Sequence, residues 1–283
     1  MPHFISHDAV DDAERIFPFP DLLECEYFKK YRNAFYRMRE EGYQLGVRNY
    51  LNLLNYINEI YEYNEQHARG FAKLFRSGSK DWNNCEAIFS EIIVYRYYIR
   101  LVYEGIIKSI QRNTDECDLI IERLDGSRYY LEVFCVMPNL KRPSKPGEFV
   151  IQDIKTHTQA AMASIRQKLL RKIEKQKQFT KPRENFAVIE LNDSIIAGDF
   201  AILSSLSRGY KITISKETME KISEGYDWKE SVFHDESTKF LKGIIYFSLG
   251  NYESRKFIFN PLFHENGDTE QGAPPDRYSA GAP

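Results

Sequence analysis

Long hydrophobic runs are the first thing this chain of 283 residues lacks: none approaches the ~20 apolar residues of a membrane-crossing helix, so no membrane partner is expected. The N-terminus, MPHFISHDAVDDAER, carries acids where a secretory leader has a basic and then an apolar stretch, which points to a cytoplasmic protein. Cysteine is scarce as well. Cys25, Cys85, Cys117 and Cys135 form no C-x-x-C pair, which argues against a zinc knuckle and a disulfide framework and leaves them as small buried hydrophobes in a reducing compartment. The six histidines are dispersed. A glycine-rich phosphate loop, a G-x-S-x-G elbow and an internal repeat are all missing, so neither a P-loop nucleotidase nor a serine hydrolase of the elbow type is indicated.

What is present is length, aromatic residues and an uneven charge. The chain is long enough to bury a substantial core without a disulfide or metal staple. A net charge of −2 hides an asymmetry: between Lys141 and Arg183 stand twelve basic residues and three acidic ones, a net of +9 that leaves −11 for the rest. A basic stripe on a near-neutral protein suits a phosphate backbone or another polyanion. The competing reading is a solvated helix face.

The first 83 residues read as a helical region. In YLNLLNYINEIYEYNEQHARGFAKLF, Leu51, Leu54, Ile57 and Tyr61, with Leu53 and Ile60, recur at three- and four-residue steps. SGSKDWNN breaks the pattern, and CEAIFSEIIVYRYYIRLVYE follows as an apolar helix containing Glu86 and Glu91. Strands are predicted at GIIKSIQRN, DLIIERL and SRYYLEVFCVM, the last two joined by Asp125-Gly126, a dipeptide favoured in tight hairpin turns. Pro138, Pro143 and Pro146 end the sheet run. A long helix follows, with Ile154, Ala161, Ile165, Leu169 and Ile173 on one side and basic residues elsewhere; it leads to the strand NFAVIELN as a crossover would. Helices are expected near DFAILSSLS and SKETMEKISEGY, extended segments at GIIYFSL and RKFIFNP, and disorder over residues 265–283, rich in Gly, Pro and acids.

Glu132 sits inside the third strand between apolar neighbours, where an ionised carboxylate is costly unless a cation, a metal or a hydrogen-bonded partner compensates it. The order helix with Glu91, strand, strand opening with Asp118, hairpin, strand with Glu132, basic helix, strand resembles the core of the PD-(D/E)XK nuclease superfamily. That resemblance covers residues 84 to 192 and extends to about residue 262, within a nuclease-like core domain drawn over residues 84–264. It implies a mixed α/β fold, a restriction-endonuclease-like αβββαβ core whose central mixed sheet is flanked by helices, after the N-terminal helical region 1–83.

The resemblance also implies a metal-dependent phosphodiesterase acting on DNA, with RNA second. Glu91, Asp118 and Glu132 would hold Mg2+ or Mn2+, since a small hard cation takes carboxylate oxygens and activates a bound water. Glu86 is the alternative helix acid. Position 134, where the family places lysine, holds phenylalanine; it shares a strand face with Glu132. Either a helix lysine, Lys155 or Lys168, replaces it, with Gln152 and Gln159 as polar contacts, or the site is a degenerate one that binds nucleic acid or scaffolds a complex without cleavage. Lys141, Arg142, Lys145, Arg166, Arg171, Lys172 and Lys175 are the candidate backbone contacts. A homodimer would supply the two sites needed to cut both strands of a duplex.

Overall fold

Among the described residues six helices precede any strand: α1 (His7–Ile16), α2 (Pro20–Leu23), α3 (Glu26–Glu40), α4 (Tyr50–Tyr63), α5 (Glu65–Gly78) and α6 (Trp82–Tyr103). The computed structural model describes residues 7–43, 45–112, 117–137, 166, 169–171, 183–192, 207–215, 217–218 and 220–263. The basic helix apart from residues 166 and 169–171, the helix expected near DFAILSSLS and the tail 265–283 lie outside the described residues, save that Ser207 is helical. Side chains cap three of the helix starts. Asn49, Asn64 and Asp81 each accept from a backbone N–H three residues ahead, starting α4, α5 and α6. The stripe read from the sequence is the buried side of α4: Leu53, Leu54, Ile57 and Ile60 are enclosed.

Among the described residues eight strands follow: β1 (Ile107–Arg112), β2 (Leu119–Arg123), β3 (Arg128–Val136), β4 (Glu184–Leu191), β5 (Tyr210–Ile214), β6 (Lys221–Tyr226), β7 (Leu241–Ser248) and β8 (Asn251–Phe259). Six of them form a mixed sheet in the order β1-β2-β3-β4-β7-β8. β3, β4 and β7 run parallel, while the pairs β1–β2, β2–β3 and β7–β8 are antiparallel. The Asp125-Gly126 turn closes the β2–β3 hairpin as its composition predicts. Gly126 takes φ +84°, a left-handed conformation that costs a residue with a Cβ.

The segment SKETMEKISEGY departs from expectation. It is not a helix: Lys221–Tyr226 is β6, paired antiparallel with β5 in a two-stranded sheet. Ser215 explains the change, because its hydroxyl accepts from the N–H groups of Glu217 and Thr218 while its own N–H donates to Glu220 O at 2.8 Å. A serine that serves the backbone in this way stabilises a turn in place of a first helical turn.

The two faces of the main sheet belong to different apolar clusters. Leu131 and Val133 of β3 and Phe186 and Val188 of β4 join Phe89, Ile93 and Val94 of α6 and the helices α1 to α5. The first cluster is therefore continuous from Val10 to Tyr252. Alternation sends Phe134 and Val136 to the opposite face, where they meet Ala187, Ile189, Leu169, Val232 and Phe233.

Candidate functional site

The hairpin register settles where Asp118 and Glu132 stand. β2 pairs with β3 through Leu119↔Leu131 and Ile120↔Tyr130, so Asp118, one step before the first pair, comes next to Glu132 in the register. Beyond that step β2 no longer accompanies β3. Asp118 fills the gap: its Oδ2 accepts from the Val133 N–H at 2.9 Å, replacing a ladder bond with a side-chain one. Glu132 is 1% exposed, and Phe134, 6% exposed, packs into the apolar cluster beside it.

Glu91 is held elsewhere. It projects from α6, which packs on the other face of the sheet, and its carboxylate meets the Arg112 guanidinium at 2.8 Å. Arg112 lies with its Cζ 3.5 Å from the Phe71 ring centroid. Gly70 makes room for it, since a Cβ there would stand 2.7 Å from Arg112 Nη1. Glu91 thus does not join Asp118 and Glu132. Among the described residues no group of three His, Cys, Asp or Glu side chains is gathered to hold a metal. Asp118 and Glu132 suit a hard cation by type, but the three-acid cage that the sequence suggests is not assembled.

The alternative helix acid, Glu86, is engaged more deeply. Tyr27 donates to its Oε1 at 2.8 Å, and Arg48 and Asn192 each donate to its Oε2 at 2.6 Å. The same guanidinium reaches Glu190 of β4 at 2.5 Å, and the Ser90 hydroxyl donates to that carboxylate too. The side chains of Arg48, Glu86 and Glu190 are all less than a tenth exposed. Arg48 also stacks over Phe89, 4.5 Å from the ring centroid. Around the network, burial first raises Tyr27 and Tyr31 well above the ordinary phenol value, and it pushes the Cys135 thiol up to about 12, which keeps that thiol protonated and inert.

Of the basic residues read as nucleic-acid contacts, Arg166 and Arg171 are described. Arg166 stands 3.3 Å from Glu230 and Arg171 is exposed on a helical turn. Lys141, Arg142, Lys145, Lys155, Lys168, Lys172 and Lys175 lie outside the described residues, as do Gln152 and Gln159.

Sequence reasoning missed Arg48, Arg112 and Glu190. Glu190 was within reach, because it is a mid-strand acid in NFAVIELN and carries the same signal as Glu132. Nothing in the local pattern marks Arg48, a loop residue 38 positions before Glu86 and 142 before Glu190. Comparison of the chain with protein-family models, with curated proteins and with solved structures yields no match.

Proposed function

We propose that this chain is a nuclease-like α/β domain that binds nucleic acid, DNA before RNA, and holds it without cutting. Phe134 carries the reading. A phosphodiesterase of the resembling family needs a cation beside its strand acid, to offset charge on the attacking water and the crowded phosphate. Phe134 stands at that position on the Glu132 face and is buried in an apolar cluster, where a phosphate oxygen gains nothing from it. Glu91 adds support, since its charge is already matched by Arg112. Asp118 has a structural duty at the fork of β2 and β3.

The binding half of the proposal rests on the +9 stretch from Lys141 to Arg183. Phosphate contacts from such a stretch give affinity that is independent of sequence and falls steeply with salt. A second reading, a phosphodiesterase using Mg2+ or Mn2+, is favoured by one observation, the nearness of Asp118 to Glu132, whose neighbour Val133 it bonds. It would need Lys155 or Lys168 to supply the missing cation.

The test is incubation of the chain with single- and double-stranded DNA and RNA, with and without manganese, followed by electrophoresis and by anisotropy over a salt series. Uncut, salt-sensitive binding is the expected result. Metal-dependent cleavage abolished by Asp118→Ala and Glu132→Ala would replace this reading with the second. Failure to bind any strand at low salt would remove both.

A further inference from the structure

Among the described residues β8 is the outermost strand of the main sheet, and it does not run evenly beside β7. Tyr246 pairs with Lys256 but Ser248 with Asn251, so the stretch from Tyr252 to Arg255 stands against Phe247 alone. A bulge of this kind re-aims side chains and keeps an edge from pairing with another strand. Here it brings both Tyr252 and Arg255 onto Tyr97 of α6: the two rings have centroids 5.0 Å apart, and Arg255 Cζ lies 4.3 Å from the Tyr97 centroid. Tyr252 and Phe257 flank the same guanidinium, at 5.2 and 5.7 Å from ring centroid to Cζ.

Among the described residues, rings and not acids hold this cation. The guanidinium's one hydrogen bond there runs from Nη1 to Tyr252 O at 3.5 Å, longer than an ordinary N–H···O bond, and no carboxylate pairs with it. Glu253, two residues earlier, is taken by Arg100 of α6 at 2.5 Å. A guanidinium fixed between rings loses little freedom when it meets an anion, and its planar fork fits phosphate oxygens. Beside it stand Phe257 and Phe259, whose rings are 11° from parallel with centroids 6.1 Å apart. Phe257 leans on the core, but Phe259 faces Gly243 of β7, which has no side chain to cover it, and stays 44% exposed. Core packing accounts for Phe257. It accounts neither for an open ring next in the row nor for a cation without an acid.

We propose that this edge binds a single strand of nucleic acid, with a phosphate on Arg255 and bases stacked on Phe259 and the rim of Phe257; the inference rests on the nucleic-acid reading above and adds the form of strand and its seat. Unpaired bases offer flat faces to aromatic rings whatever their sequence, and cationic side chains beside those rings follow the backbone. A duplex keeps its base faces stacked on one another and would leave Phe259 unused. A second copy of the chain pairing along β8 is opposed by the bulge, which breaks the even row of backbone groups that strand addition needs. No residue between Lys141 and Arg183 takes part, so the site can fail while the basic stretch still binds.

Fluorescence anisotropy of the full chain with labelled oligothymidine and with a duplex of equal length, each over a salt series, tests this directly. Phe259→Ala should weaken oligothymidine by about fivefold or more and leave the duplex unmoved, with the circular dichroism spectrum unchanged. Arg255→Met should weaken it by a similar factor and lower the salt slope by about one. Phe259→Trp, which keeps a stacking face, should bind as the wild type does or more tightly. If Arg255→Met fails to fold, the two changes at the exposed Phe259 decide the matter. Oligothymidine held equally by wild type and Phe259→Ala, or an equal loss of strand and duplex, overturns this site and leaves the nucleic-acid reading in place. A chain that binds neither removes both. Polyglutamate that displaces oligothymidine from the wild type but not from Arg255→Met would assign the edge to an acidic polypeptide and overturn the proposal.

Discussion

On the face toward α6, Glu86 and Glu190 converge on Arg48 and are ringed by Tyr27, Ser90 and Asn192, so that two acids and one guanidinium close on one another out of water. On the opposite face Glu132 stands beside a phenylalanine, with Asp118 accepting from the N–H of the residue after it, near a cleft walled by two arginines. Both faces bury carboxylates, yet they do so on different terms. The first arrangement brings its own cation from a loop. The second sits where the sheet forks, with Glu132 enclosed. A mid-strand acid is therefore informative about function only after its partners are known, because Glu190 and Glu132 look alike in sequence and differ in surroundings.

The sharpest way to break this contrast is Arg48→Met. Removing the cation leaves two acids buried, and loss of one member of a buried ion pair costs about 3–5 kcal/mol, a large share of a domain's stability. Urea denaturation should show a shift of that size; a loss below about 1 kcal/mol would mean that the α6 face is no more settled than the other. Next in size is Glu91→Gln, which weakens the bond to the buried Arg112 and should cost about 2 kcal/mol by the same measurement. Nucleic-acid affinity should not move with it. If cleavage or metal binding disappears with Glu91→Gln, the separation of the two faces is wrong.

Asp118→Ala should have a smaller effect, about 1 kcal/mol, from loss of the acceptor for the Val133 N–H. Asp118→Asn keeps an acceptor there and should recover most of that loss. The smallest expected effect lies at His67, whose ring nitrogen meets the Tyr95 hydroxyl at 2.6 Å. Burial, and then the nearby Arg112, hold its pKa below the ordinary 6.5, so the folded chain binds fewer protons than the unfolded one. Stability should therefore be full above pH 6.5 and decline as pH falls from there through the folded pKa. Thermal melts between neutral and mildly acidic pH should show this slope, and His67→Gln should flatten it.

Much of the fold could be read in advance where residues speak for themselves. The apolar runs in LIIER and RYYLEVFCV, with Asp125-Gly126 between them, mark the hairpin, and the apolar run in NFAVIELN marks a strand buried on both sides. β5 and β6 were not legible because their pairing turns on Ser215 acting as a backbone acceptor, which hydropathy does not register. The candidate site was legible in part. Hairpin register alone brings Asp118 to Glu132, whereas the choice of partner for Glu91 depended on Arg112 arriving from β1; Arg96 and Arg100, nearer in sequence, pair with Glu59 and Glu253 instead. The cleft was not legible at all, since its walls come from positions 128, 130, 183 and 263 and meet only when β3 and β4 align.

Arg48 bonds to a residue 142 positions further along the chain. As the polypeptide leaves the ribosome, the guanidinium is committed to α6 long before β4 is synthesised, so the helical first third waits as a mould with one vacancy for Glu190. Cutting the gene near the start of α6 would take the mould away from the casting: a fragment that starts at Trp82 keeps both acids and loses the charge that lets them be enclosed, and it should collect in inclusion bodies.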